Sequence, residues 1–242
     1  MIEQSETKLP QALVLCGGLG TRLQAAFDSG PKALAPVAGR PFLDYQLAWL
    51  RRQGVHRAVL CVGYRHEQIE ALYPAGAGDP VIAYSEESEP LGTAGAVKNA
   101  ERFVDGERFF VVNGDSLANA SLADLFAFHR ERGAVATIAT VAVDDAARYG
   151  SVAADDEGRV TGFAEKGAAN GPGRVNAGIY VMERAVLDAI PAGRKVSLER
   201  ETFPSLAGRG LYAFAAHGSF IDIGVPEALA SAQAEIPGRF AS

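Results

Sequence analysis

Residues 12–20, ALVLCGGLG, set a five-residue apolar run against three glycines. The run ALVLC reads as a short buried strand feeding directly into a loop. Gly17, Gly18 and Gly20 let that loop turn tightly and approach a ligand without Cβ clashes. Their N–H groups can converge on an anion or a base edge. Thr21 and Arg22 follow, and Lys32 returns after Gly30–Pro31. Two positive charges therefore serve one mouth.

The segments downstream repeat the same grammar. Leu43, Leu47 and Leu50 fall at helical spacing up to a stop at Gly54. HRAVLCVG (56–63) is a second strand, HEQIEALYP a short helix closed by Pro74, and PVIAYSE (80–86) a third strand. TAGAVKNAERF (93–103) is a helix, RFFVVNGD (108–115) a strand ending in Asp115, and 121–133 a helix from N-cap Ser121 to Gly133. Strand and helix alternate through about the first 140 residues, which implies a mostly parallel sheet with helices on both faces. Ligands on such sheets sit beyond the carboxyl ends of the strands. The glycine loop and Asp115 both lie there.

The second half is strand-rich: 134–143, short stretches around the turn 156–158, then 173–183, 211–216 and 219–224. Short helices are expected in RAVLDAI and LERETFPSL, and a closing helix begins near Pro226. The organisation expected is a polar, disordered tail at 1–10 and one domain over 11–242. Within it, 11–140 forms one half and 141–242 a second half with a small β lobe.

Composition narrows the function classes. The 242 residues are 48% hydrophobic, enough for a sizeable core, and carry a net charge of −6. That balance argues against nucleic acid or an anionic membrane as partner, while a local basic site can still bind a small phosphorylated ligand. MIEQSETKLP lacks the apolar core of a signal peptide, and no apolar run approaches the ~18 residues of a membrane helix; the expected location is the cytoplasm. Cys16 and Cys61 each end an apolar run and read as reduced, buried thiols in neighbouring strands, without zinc spacing. His129 reads as the edge of the core, and His56, His66 and His217 as solvent-facing. Phe42 and Trp49 read as helix packing.

Known phosphate loops do not fit. GxxxxGK[ST] is absent, and GxGxxG fails because Leu23 stands where its last glycine should. The longer run LCGGLGTRL…PKALAPVAGRPFLDY resembles the signature of the sugar-1-phosphate nucleotidyltransferases, the nucleotide-sugar pyrophosphorylases. EPLGTAGAV, VVNGDSL, YGSV, GFAEKG, VNAGIYV and FIDIGVPE follow in that family's order over nearly the whole chain. Within it, PFLDY, EPLGTAGA, RYGSV and FIDIG are most similar to the D-glycero-α-D-manno-heptose 1-phosphate guanylyltransferases.

The resemblance implies a Rossmann-like fold, with a nucleotide-binding half at about 11–140 and a sugar-binding half at about 141–242, and a reaction. A sugar 1-phosphate oxygen attacks the α-phosphorus of a nucleoside triphosphate, and pyrophosphate leaves. Two polyanions must meet, so catalysis rests on positioning and charge neutralisation. Arg22 would face the leaving pyrophosphate and Lys32 the α-phosphate. Asp115 and Asp222 would hold Mg²⁺. Leu15, Gly17, Gly18, Gly20, Thr21, Gly92 and Thr93 would line the nucleotide. Asn113, Gly150, Glu165, Lys166 and Asn176 would take the sugar phosphate, although Gly167 replaces the proline usual after the Glu–Lys pair. Each charged candidate also has an ordinary structural reading, as a cap, a turn former or a solvated loop residue.

Guanine offers adjacent N1–H and N2–H donors, which one carboxylate can accept together. Glu87 is the first candidate and Glu89 the second, which favours GTP. Heptose rests on the resemblance. Mannose 1-phosphate, N-acetylmuramate 1-phosphate, a UTP- or dTTP-dependent sugar, and a non-catalytic relative of the fold remain alternatives. No β-helix repeat is present, so the oligomeric state, a homo-oligomer included, stays open.

Overall fold

The computed structural model describes residues 8–18, 23, 27, 30–146, 149, 151–164 and 171–240. Its centre is β1 (Ala12–Leu15), flanked in parallel by β4 (Arg57–Val62) and β6 (Arg108–Asn113). β5 (Val81–Glu86) adds to β4, also in parallel. Between β1 and β4 the chain makes a small hairpin, β2 (Pro36–Val37) with β3 (Arg40–Pro41), and then α1 (Phe42–Arg52).

The central strands bury both faces, and period-2 alternation sorts their side chains. Ala12, Val14, Leu60, Phe110 and Val112 enter one core; Leu13, Val59, Cys61, Phe109 and Val111 enter the other. This is the near-continuous apolar strand that helices on both faces demand. The first core is covered by α1, α4 (Leu122–Glu131) and α6 (Pro226–Phe240). The second is covered by α3 (Gly92–Asn99), a 3₁₀ segment Arg184–Ala189 and α5 (Phe203–Leu206). α2 (His66–Leu72) links β4 to β5.

The expected mixed, mostly parallel sheet is what forms, with antiparallel strands on one side. β11 (Gly173–Glu183) is eleven residues long and antiparallel to β6 at one end. It also pairs with β8 (Ala136–Val143) and touches β9 (Ser151–Ala154). β9 and β10 (Val160–Ala164) form the hairpin expected around 156–158. β12 (Leu211–Ala215) runs parallel to β8. A separate ribbon pairs β7 (Ser116–Ala118) with β13 (Phe220–Asp222).

Several boundaries moved for local reasons. The helix expected over 93–103 stops at Asn99, and Glu101–Phe103 tightens into a 3₁₀ turn. Leu198–Thr202 winds as a π-helix before α5. β6 ends at Asn113, so Asp115 stands in the turn before β7, a strand three residues long with too little pattern to read. His129 is fully buried rather than at the core's edge. Its Nδ1 lies 2.8 Å from Thr137 Oγ1 and its Nε2 3.3 Å from Glu183. Ser121 caps α4 as expected, its Oγ accepting the Asp124 N–H at 3.1 Å. The free thiols of Cys16 and Cys61 are buried side by side, with Cys16 N donating to Cys61 O. No helix among the described residues is long and apolar enough to cross a membrane.

Gly114 lets the carboxyl ends of β1 and β6 close together. Its N–H donates to Leu15 O at 3.0 Å, and a Cβ there would meet that oxygen at 2.5 Å. Gly114→Ala is expected to destabilise the fold by about 1–3 kcal/mol, the cost of overpacking against unyielding backbone, read as a lower urea midpoint at unchanged m-value.

Candidate active site

Beyond the carboxyl ends of β1 and β6 lies a cavity of about 360 Å³. Leu15, Gly17 and Gly18 form one wall. Glu87, Pro90, Gly92 and Thr93, from the β5–α3 turn, form another. Asn113, Gly114 and Asp115 supply the floor, and Lys32 and Lys195 enter from elsewhere. The parallel sheet explains the convergence, because successive strands deliver their carboxyl-terminal loops to one edge.

The strongest contact in the cavity is ionic. Lys32 Nζ lies 2.6 Å from Asp115 Oδ2, with the lysine side chain only 12% exposed. Asp222 arrives through the small ribbon. β13 pairs with β7 so that Asp222 opposes Ser116, and Ile223 N donates to Asp115 O at 2.9 Å. A Cβ built on Gly224 would stand 2.7 Å from Asp222 Oδ1 and 3.1 Å from Lys32 Nζ. Asp222 and the Lys32–Asp115 pair thus meet around Gly224.

Glu87 is held over the glycine loop. Its Oε2 accepts the Leu91 N–H at 2.8 Å, and its Oε1 comes within 2.7 Å of where a Cβ on Gly17 would be. A side chain at 17 would displace this carboxylate. Burial pushes the Glu87 carboxyl above its usual range, against the opposing pull of the Leu91 N–H. Cys16, also on the wall, is pushed up to about 12 by burial and by Asp115, so its thiol stays neutral.

Beside the floor, Asn113 Oδ1 is buried without a hydrogen-bond partner among the described residues. Gly178, at φ +70°, makes the close approach possible: a Cβ there would meet Ser116 Oγ at 2.6 Å and Asn113 Nδ2 at 2.8 Å.

Of the residues singled out from sequence, Leu15, Gly17, Gly18, Lys32, Glu87, Gly92, Thr93, Asn113 and Asp115 line this cavity, and Asp222 adjoins it. Glu89 is exposed and is not part of the lining. Asn176 lies off the cavity lining, and both its polar ends are engaged within its own strand. Its Nδ2 donates to Tyr180 OH at 2.9 Å and its Oδ1 accepts the Gly178 N–H at 2.8 Å. Gly20, Thr21, Arg22, Gly150, Glu165 and Lys166 lie outside the described residues. Sequence reasoning missed Lys195. It sits in PAGRKVSLE, where nothing in the local pattern separates it from a solvated turn.

A glycine loop, Asp115 and a largely covered lysine in one cavity, with Asp222 adjoining, agree with the family model that matches residues 11–238, described as Nucleotidyl transferase. The chain belongs to this family. It is 38% identical over 93% of its length to a mannose-1-phosphate guanylyltransferase of Mycobacterium tuberculosis, of which it spans 64%. It is 36% identical, over 93% of itself and 98% of the other, to a D-glycero-α-D-manno-heptose 1-phosphate guanylyltransferase of Aneurinibacillus thermoaerophilus. Among solved structures, HddC from Yersinia pseudotuberculosis superposes with a TM-score of 0.82 at 32% identity, over 93% of this chain and 98% of that one. The same protein has been solved in complex with GMP-PN.

The raised Glu87 carboxyl fixes the sign of one pH effect. Its protonated form is favoured by folding, so the stability it contributes is present below the unfolded pKa and lost as pH rises through the folded one. Glu87→Gln is therefore expected to raise the melting temperature of the unliganded protein at pH 7. That gain should shrink as pH falls through the raised folded value and be gone below the ordinary carboxyl value of about 4.5; calorimetry at several pH values checks it.

Proposed function

We propose that this chain transfers a guanylyl group from GTP to a sugar 1-phosphate, giving a GDP-sugar and pyrophosphate. The observation that carries this reading is the cavity in which Lys32 and Asp115 meet beside the glycine loop and Glu87, with Asp222 adjoining it. The favoured acceptor is D-glycero-α-D-manno-heptose 1-phosphate, supported by a relative matched over nearly its full length. Mannose 1-phosphate is the second reading, supported by the mycobacterial relative. Both sugars carry an axial 2-hydroxyl.

The nucleotide lies along residues 15–18. Guanine N1–H and N2–H donate to the Glu87 carboxylate, which keeps Oε1 free of the Leu91 bond. The sugar-phosphate oxygen attacks the α-phosphorus in line, and the bond to the bridging oxygen of pyrophosphate breaks. The acceptor brings its own nucleophile, so no nucleophilic side chain is required. Lys32 exchanges Asp115 for the α-phosphate as charge builds on the equatorial oxygens, a preorganised electrostatic role. Arg22 toward the leaving pyrophosphate, and Glu165 and Lys166 toward the sugar phosphate, complete the proposed set.

The donor set suits Mg²⁺. Asp115 and Asp222 are hard oxygen ligands around a position that already attracts a cationic group, the Lys32 ammonium. When bound, the ion would neutralise phosphate charge at the reacting centre.

The test is pyrophosphate release from GTP, UTP, dTTP and CTP, each against heptose and mannose 1-phosphates, with and without Mg²⁺. GTP with a manno-configured 1-phosphate is expected to be fastest, and release should stop on chelation. Equal rates with UTP, dTTP or CTP would remove the guanine assignment; no release from any pair would remove the reaction. Lys32→Ala is expected to lower kcat by about 10²–10³-fold while circular dichroism stays unchanged.

A further inference from the structure

We propose that Gln46, a buried amide on α1, is a positioning residue for Asp115: it clamps both ends of the turn that carries this carboxylate and so fixes it at the reacting centre. This inference rests on the nucleotidyl-transfer reading above and adds a residue that lies behind the cavity rather than in its lining.

Gln46 is fully buried on a helix face otherwise made of Phe42, Leu43, Leu47 and Leu50. Its Nε2 donates to Asn113 O at 2.7 Å and to Ser116 O at 2.8 Å. These are the first and last carbonyls of the turn 113–116, so one NH₂ group closes the turn from behind. The same two carbonyls fix which way the amide points. With Oε1 in that place, three oxygens would crowd together with no proton between them. The other end of the side chain shows the cost: Gln46 Oε1 is buried with no hydrogen-bond partner among the described residues. A half-satisfied amide in an apolar face costs stability that a leucine would not. What the glutamine supplies is the shape of the turn.

The middle of the turn is held by main chain. Gly114 N donates to Leu15 O at 3.0 Å, and Asp115 O accepts from Ile223 N at 2.9 Å. The strands β1 and β13 thus grip the centre, while α1, through Gln46, grips the two ends. Asp115 leaves this frame toward Lys32, 2.6 Å away. Without the clamp, Asn113 O and Ser116 O lose their common donor, and the peptide planes on either side of Asp115 are less constrained. Mg²⁺ demands near-ideal octahedral geometry of its oxygen ligands. Misplacing this carboxylate therefore acts on the metal and the reacting phosphorus. It leaves the base untouched, because the guanine is proposed to sit against Glu87 on another wall.

The test uses the full chain carrying Gln46→Met, which keeps the volume and removes the donor, or Gln46→Glu, which keeps the shape without the NH₂ group. Steady-state kinetics, run well below each melting temperature, give kcat, KM for GTP and the Mg²⁺ concentration for half-maximal rate. Calorimetry gives Mn²⁺ affinity in the presence of a non-transferable GTP analogue. Both variants are expected to lose about tenfold in kcat and in Mn²⁺ affinity, the effect of about one hydrogen bond. KM for GTP at saturating Mg²⁺ is expected to stay within about threefold of the parent. If Gln46→Met does not fold, Gln46→Glu carries the same comparison. A lower melting temperature with kcat, Mg²⁺ requirement and Mn²⁺ affinity all unmoved would assign Gln46 to stability alone and overturn the proposal. Weakened Mn²⁺ binding in the variants with no turnover by the parent chain would sink the reaction but keep the glutamine. Normal parent turnover with Mn²⁺ affinity and kcat unmoved in the variants would sink the glutamine alone.

Discussion

The pairing of β7 with β13 is the constraint on which the site depends. Asp115 and Asp222 stand 107 positions apart in sequence, and a three-residue ribbon lying off the main sheet brings them together. The ribbon is short because it only has to set register. Once Asp222 opposes Ser116, the Ile223 N–H falls on Asp115 O. In the unliganded protein Asp115 is itself paired with the Lys32 ammonium at 2.6 Å. Opposite charges at that distance hold both side chains in place before any ligand arrives.

Much of this was legible from residue patterns. Short continuous apolar runs located the central strands, because both faces of a parallel sheet must be buried. Glycine, proline and serine punctuation located the helix ends; Ser121 and Gly133 bracket α4 as their chemistry requires. The glycine loop and the strand-end acid pointed to the same edge of the sheet. What could not be read was geometry set by partners far away in sequence. β7 has three residues and no period. The π-turn at Leu198–Thr202 answers to the docking of its turn on α3, not to its own composition.

The site residues divide along the same line. Those inside dense motifs, such as Gly17, Lys32 and Asp115, fell on the cavity. The sequence ranks Glu87 above Glu89 in one acidic turn, without a contact to separate them. The Leu91 N–H singles out Glu87 and draws it over Gly17. Asn176 could be read as a polar side chain needing a partner, and it has two, both within its own bulged strand. Lys195 had no motif at all; its place follows from the close approach that Gly92 and Gly95 permit.

The length of β11 has a mechanical meaning. One end of this strand is laddered to β6, whose carboxyl end carries the cavity floor. The other end is laddered to β8 and touches β9, in the part of the chain that follows the nucleotide-side strands. The register shift between Asn176 and Tyr180, with Gly178 at φ +70°, is the place where the two ends can turn relative to each other; elsewhere along the strand, bending would break the ladder hydrogen bonds.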